Sequence, residues 1–189
     1  MLFALHNFSK SGIFLKVEYY ITMPTIAISL GKNCSPAVWG VKHGLRKTKS
    51  EGYNTCPFDL MVSNYKGLVE CIKDDFKYFC DSKYLKINPV FNTYYGFGFN
   101  HEDGTHKKLW IKEKWPEGKD HFIANDFKNF KERYNNRIQS FRNYLNDKNN
   151  YIIFLILLKD EKKDKNLKEL RDVLKVRYPH LKYEIKILN

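Results

Sequence analysis

Residues 151–187 read YIIFLILLKDEKKDKNLKELRDVLKVRYPHLKYEIKI, and their patterning decides the fold class. Tyr151–Leu158 is apolar without interruption, as a strand buried on both faces requires. Leu167, Leu170 and Leu174 then recur at helical spacing within a charged stretch that stops before Pro179. Leu181, Tyr183, Ile185 and Ile187 alternate with polar residues, the pattern of a strand nearer a sheet edge. A strand, a helix and a strand of these lengths make a βαβ unit, with parallel strands and a right-handed crossover. The fold class that follows is α/β: a three-layer sandwich around a mainly parallel sheet, with this βαβ unit at its C-terminal end.

Working back towards the N-terminus, Asp126 opens a long amphipathic helix marked by Phe127, Phe130, Tyr134, Ile138, Phe141 and Leu145. Tyr94–Phe99 alternates with glycine and Lys108–Lys112 alternates again, with Asp103-Gly104 between them, which predicts a hairpin. Ser63 is read as the cap of a helix whose apolar stripe is Tyr65, Leu68, Val69, Ile72, Phe76 and Phe79. Thr25–Leu30 is a short apolar run closed by Gly31, a buried strand. Ser35-Pro36 is read as a cap followed by proline at the first helical position, with Ala37, Val38, Val41 and Leu45 on the inner face and Gly44 at the end. Residues 1–22 read as an extension with little structure, and residues 23–189 as one α/β domain. Met23, directly before Pro24, is a candidate start. The polar residues that interrupt the apolar stretches of 1–22 argue against a signal peptide or a membrane span.

With 189 residues, 43% hydrophobic and 16% aromatic, the composition is that of a chain that buries a core, which excludes a disordered chain. The formal charge of +12 admits an anionic partner, but lysines and acids interleave, as in Lys159–Lys165, where a solvated face explains the run. Cys34, Cys56, Cys71 and Cys80 show neither a CxxC pair nor Cys/His ligand spacing, so no metal and no cofactor is expected, and a reducing, cytoplasmic setting fits them.

Cys34 falls between the end of the first strand and the start of a helix. Ligands in open α/β sheets bind outside the carboxyl ends of strands. Free N–H groups and the helix dipole favour a thiolate there, and the thiolate is the nucleophile. A nucleophilic cysteine needs a base, and His101, beside Glu102 and Asp103, is a candidate whose ring either acid can orient. A plain hairpin turn accounts for the same residues. Asp59, in Cys56-Pro57-Phe58-Asp59-Leu60, can orient a histidine, pair with Arg46 or serve as a turn residue. Two further readings stay open. One is an anion-binding module, with Asn33 and the helix start joined by Arg46, Arg133 and Arg137 on a phosphate, sugar-phosphate or carboxylate. The other, ranked last, is a basic nucleic-acid-binding domain presenting Lys128, Lys131, Arg133, Arg137 and Arg142 on the long helix.

Ile28-Ser29-Leu30-Gly31, Asn33-Cys34-Ser35-Pro36-Ala37, Gly44-Leu45-Arg46 and Pro57-Phe58-Asp59 together resemble the putative papain-like cysteine peptidases, a family found in bacteria and large viruses. Asp74-Asp75-Phe76, the aromatic strand leading to His101 and the helix with Arg133 and Arg137 are also similar, so the resemblance spans most of residues 25–160. Leu60 stands where the family has tryptophan, and Glu102 is inserted in its histidine-aspartate pair. The resemblance implies a thiol hydrolase or acyl transferase acting on a peptide or other acyl substrate. Cys34 would be its nucleophile and His101 its base, with Asp59 or Asp103 as third member. It also brings in an alternative fold, a papain-like α+β arrangement, and a host-cell location if the source is viral.

Overall fold

The computed structural model describes residues 23–103, 114–158 and 167–188. Its elements are β1 (Thr25–Ser29), α1 (Ser35–Lys42), α2 (Tyr65–Lys73), β2 (Leu85–Lys86), β3 (Phe91–Asn92), β4 (Phe97–Gly98), α3 (Ala124–Asn146), β5 (Tyr151–Leu157), α4 (Lys168–Arg177) and β6 (Lys182–Leu188). Short 3-10 turns join them, among them Pro57–Leu60.

The apolar run at 151–157 takes the centre of a three-stranded parallel sheet in the order β1-β5-β6. Thr25 pairs with Tyr151 at one end of the β1–β5 ladder and Ser29 with Leu155 at the other, and Leu188 of β6 lies opposite Leu157. Because strand side chains alternate between faces, β5 divides its load. Ile152, Phe154 and Ile156 enter the main core, while Ile153 and Leu155 join Ala27 on the opposite face. Leu68 and Ile72 of α2, Tyr134 and Phe141 of α3, and Leu170 and Leu174 of α4 fill the main core. Trp39 and Leu45 cover the other face. Helices therefore lie on both faces of a parallel sheet, the α/β layering expected. Each buried Ile, Leu or Phe side chain contributes about 1.5–3 kcal/mol, so β5 is the element on which both layers depend.

The inner face of α1 differs from the expectation. Pro36, Ala37 and Gly40 are buried, whereas Val38 is 61% exposed and Val41 36%. Gly40 explains the rotation, since a Cβ there would sit 2.7 Å from Leu155 Cδ1 and the helix approaches the sheet through that gap. The caps shift by one residue as well. Cys34, not Ser35, is the cap of α1, and Asn64, not Ser63, caps α2 by accepting the Gly67 N–H at 2.7 Å. The α2 stripe continues past the helix end as Phe76 and Phe79, both buried in turns.

The Lys108–Lys112 arm of the hairpin read above lies outside the described residues. Phe97–Gly98 pairs with Phe91–Asn92 in a small antiparallel sheet, β2-β3-β4. Phe127, Phe130, Tyr134, Ile138, Phe141 and Leu145 of α3 are buried as the spacing predicts, although Asn125, Asp126 and Phe127 take left-handed backbone angles before the regular helix.

Candidate active site

The strand β1 ends in a loop that the sequence builds almost residue by residue. Ser29 Oγ accepts the Gly31 N–H at 3.1 Å. Gly31 has φ +88°, and a Cβ there would lie 2.2 Å from Ser63 Oγ, so only glycine fits both the angle and the space. Lys32 donates its N–H to Ser63 Oγ at 2.8 Å, and the Ser63 N–H donates to the Lys32 carbonyl at 3.2 Å. Asn33 Oδ1 then accepts the Ser35 N–H at 2.8 Å, turning the chain into α1. Cys34 is thereby fixed as the cap residue, half-buried, with its carbonyl accepting the Val38 N–H at 3.1 Å.

The segment that grips this loop also grips the strand leading to His101. Val62 and Gly98 exchange backbone hydrogen bonds of 2.8 and 2.9 Å, one residue from Ser63 on one side and three from His101 on the other. His101 sits in a turn closed by the Glu102 N–H on the Phe99 carbonyl at 3.0 Å. Both flanks of that turn are anchored inside the protein. Phe99 is fully buried, with its ring against Phe79, Phe130 and Tyr134. Glu102, 1% exposed, accepts from Arg133 Nη1 at 2.9 Å, Tyr134 Oη at 3.0 Å and Arg137 Nη1 at 3.3 Å. His101 and Asp103, by contrast, are half-buried on either side of it. The parallel sheet thus delivers the cysteine and the antiparallel sheet delivers the histidine to two loops joined through Val62-Ser63.

The profile of the family described as putative papain-like cysteine peptidase (DUF1796) matches residues 25–189. The chain belongs to this family. No curated protein and no solved structure matches it. The match opens on Thr25, the first residue of β1, and takes in every named element.

Within this papain-like peptidase family member, Asp59 occupies a second buried carboxylate site. Arg46 Nη2 donates to it at 2.9 Å, the Cys56 N–H at 2.7 Å and Tyr53 Oη at 3.1 Å. Burial disfavours both charges, but a guanidinium keeps its proton and every one of these groups donates, so the Arg46–Asp59 pair stands ionised. Arg46 also lies over the Tyr53 ring, 4.1 Å from its centroid, and donates to the Ala37 carbonyl at 3.2 Å, tying this site to α1. Of the two pairings open to Asp59, the structure shows the one with Arg46.

Arg46, Arg133 and Arg137 are all engaged by buried carboxylates, and Asn33 by the Ser35 amide. On α3, Lys131 pairs with Asp126 and Arg142 with Asp75, so the basic residues of that helix largely face acids of the same chain. Of the other histidines described, His43 stacks on Trp39, His121 pairs with Glu117 and His180 is exposed. His106 lies outside the described residues.

Of the remaining cysteines, Cys56 and Cys71 are buried and Cys80 is half-buried. Desolvation pushes the thiols of Cys56 and Cys71 far above the ordinary range and that of Cys80 to about 12. All four cysteines are free. Among the described residues no group of three or more His, Cys, Asp or Glu side chains is arranged to hold a metal, and no helix is long and apolar enough to cross a membrane.

Sequence reasoning missed the parts played by Ser63, Tyr53, Tyr134 and Glu102. A signal for the last was present: Arg133 and Arg137 stand four residues apart, on one helix face, opposite an acid next to the candidate base.

Proposed function

We propose that this protein is a thiol hydrolase or acyl transferase in which Cys34 is the nucleophile, His101 the general base and Asp103 the carboxylate that orients the imidazole. The observation that carries this reading is the shared grip of Val62-Ser63 on the Cys34 loop and on the strand before His101. Cys34 caps a helix, where the dipole and the first-turn amides favour a thiolate and the oxyanion that forms on the substrate.

In the reaction, His101 takes the Cys34 proton as Sγ forms a bond to the acyl carbon. The oxyanion collapses, the C–N bond breaks, and His101 returns the proton to the departing amine. Water, deprotonated by His101, then attacks the thioester and releases the acid and the Cys34 thiol. The substrate class is a peptide or isopeptide bond. Engagement of Arg46, Arg133 and Arg137 by internal carboxylates favours this over the anion-binding reading, and the internal pairing on α3 favours it over nucleic acid. Four free thiols suit a reducing, cytoplasmic compartment.

The test is to trap the acyl-enzyme: p-nitrophenyl acetate is mixed with the protein and the intact mass is read after acid quench. A single acetyl group on Cys34, absent from Cys34→Ala and slow to form in His101→Ala, is the expected result. Acetylation that persists in Cys34→Ala would overturn the assignment.

A further inference from the structure

Strand β6 presents an exposed edge. It lies at the end of the order β1-β5-β6, and among the described residues nothing pairs with its outer side. None of its seven residues is buried, and Ile187 is 44% exposed. The hydrogen bonds on the other side of β5 fix which groups of β6 face out. Tyr151 donates its N–H to the Pro24 carbonyl at 2.9 Å and Leu30 donates to the Leu155 carbonyl at 2.8 Å, so the odd-numbered residues of β5 face β1 and the even-numbered ones face β6. In a parallel pair, a residue whose groups point across lies opposite one whose groups point away. Phe154 lies opposite Ile185, so Tyr183, Ile185 and Ile187 turn their N–H and C=O groups outward. Tyr183 and Ile185 pack at the margin of the main core, and by alternation Ile187 shares their face. Glu184 and Lys186 stand exposed on the other face, with Lys186 Nζ 5.0 Å from the centroid of the Trp39 ring.

We propose that β6 pairs antiparallel with β6 of a second copy of this chain, about a two-fold axis at Ile185, joining two three-stranded sheets into one. Centred there, Ile185 meets Ile185 and Tyr183 meets Ile187 of the second copy, and every residue in these pairs has its main-chain groups turned outward. Between them Glu184 stands opposite Lys186 of the second copy, and Lys186 opposite its Glu184, in the close non-hydrogen-bonded positions where side chains approach best. Centring on Glu184 sets Glu184 against Glu184, and centring on Lys186 sets Lys186 against Lys186, so charge selects the Ile185 register. Complementarity that repeats under a two-fold axis singles out the chain itself as the partner. Charged residues on a bare edge normally deter pairing, and here they permit one partner in one register. Cys34 follows β1, at the opposite edge of the sheet, so the pairing stands whether or not Cys34 is a nucleophile.

The test is sedimentation velocity of the full chain over a micromolar concentration series, together with residue-resolved amide hydrogen exchange. A dimer is expected to form as concentration rises, with the Tyr183, Ile185 and Ile187 amides protected only as it does. Glu184→Lys and Lys186→Glu each set like charges opposite one another at both symmetric positions, and each is expected to weaken association about tenfold. Both residues are exposed, so the melting temperature of each variant is expected to match that of the wild type. Mixing the two single variants puts opposite charges back at both positions and is expected to restore the dimer. A chain that stays monomeric throughout the series, single variants that associate as tightly as the wild type, a mixture no tighter than either variant alone, or protection of the three amides in the monomer would each overturn the proposal.

Discussion

Ser63 and Lys32 are joined twice, through the Ser63 hydroxyl accepting the Lys32 N–H at 2.8 Å and the Ser63 N–H donating to the Lys32 carbonyl at 3.2 Å. Lys32 has φ +68°, a left-handed conformation that a non-glycine residue keeps only when its neighbours hold it there. The position of Cys34, two residues on, depends on that clasp. Ser63→Ala leaves the part-buried Lys32 amide without its acceptor and is expected to lower stability by about 1–3 kcal/mol. A shifted urea midpoint with an unchanged slope is the readout, together with slower alkylation of Cys34.

Glu102 is the counterpart on the histidine side. Glu102→Ala leaves Arg137, only 11% exposed at its side chain, without a carboxylate partner. Breaking a buried pair in this way costs about 3–5 kcal/mol. Glu102→Gln keeps one acceptor and recovers part of the loss. Equilibrium denaturation of the two variants checks the order, and near-wild-type stability of Glu102→Ala would show that the arginines find other partners.

Asp59 behaves as a buried counter-ion in this account. Asp59→Ala is expected to destabilise by about 3–5 kcal/mol, and adding Arg46→Met to it should restore much of the loss, because the uncompensated charge is then gone. A double-mutant cycle in urea measures the coupling. Were Asp59 instead the third catalytic member, Asp59→Asn would abolish turnover at unchanged stability.

Thiol chemistry should be selective. Desolvation pushes the Cys80 thiol up to about 12 and those of buried Cys56 and Cys71 well above the ordinary range, while Cys34, half-buried like Cys80, stands at a helix cap. At neutral pH iodoacetamide is expected to label Cys34 alone, with the other three protected until the fold opens. Peptide mapping after limited alkylation reads this directly.

Much of this architecture is legible in the sequence, and the reasons differ by element. Tyr151–Leu157 announces a central strand because both of its faces must be apolar, and the leucines of α4 and the alternation of β6 complete the unit. Phe130, Tyr134 and Phe141 mark α3 for the same reason: burial imposes a period. The antiparallel sheet left little trace, since β3 is only Phe91–Asn92 and two residues carry no pattern. Local capping was ambiguous because Ser63 and Asn64 are adjacent and both are good caps; which one turns inward depends on Lys32, 31 residues away. Glu102 was read as an acid orienting the His101 ring or as a plain turn residue, and only Arg133 and Arg137 across the fold make its burial tolerable. Residues that act alone along the chain were readable, and those that act through distant partners were not.

The most direct test of the Cys34–His101 assignment is the rate of Cys34 alkylation by iodoacetamide as a function of pH, in the wild type and in His101→Ala. A catalytic pair predicts that Cys34 reacts faster in the wild type than in His101→Ala across the neutral range, because the imidazole takes the thiol proton. A profile that is identical in the two proteins would contradict the pair and leave the N-terminus of α1 as the sole influence on the thiol.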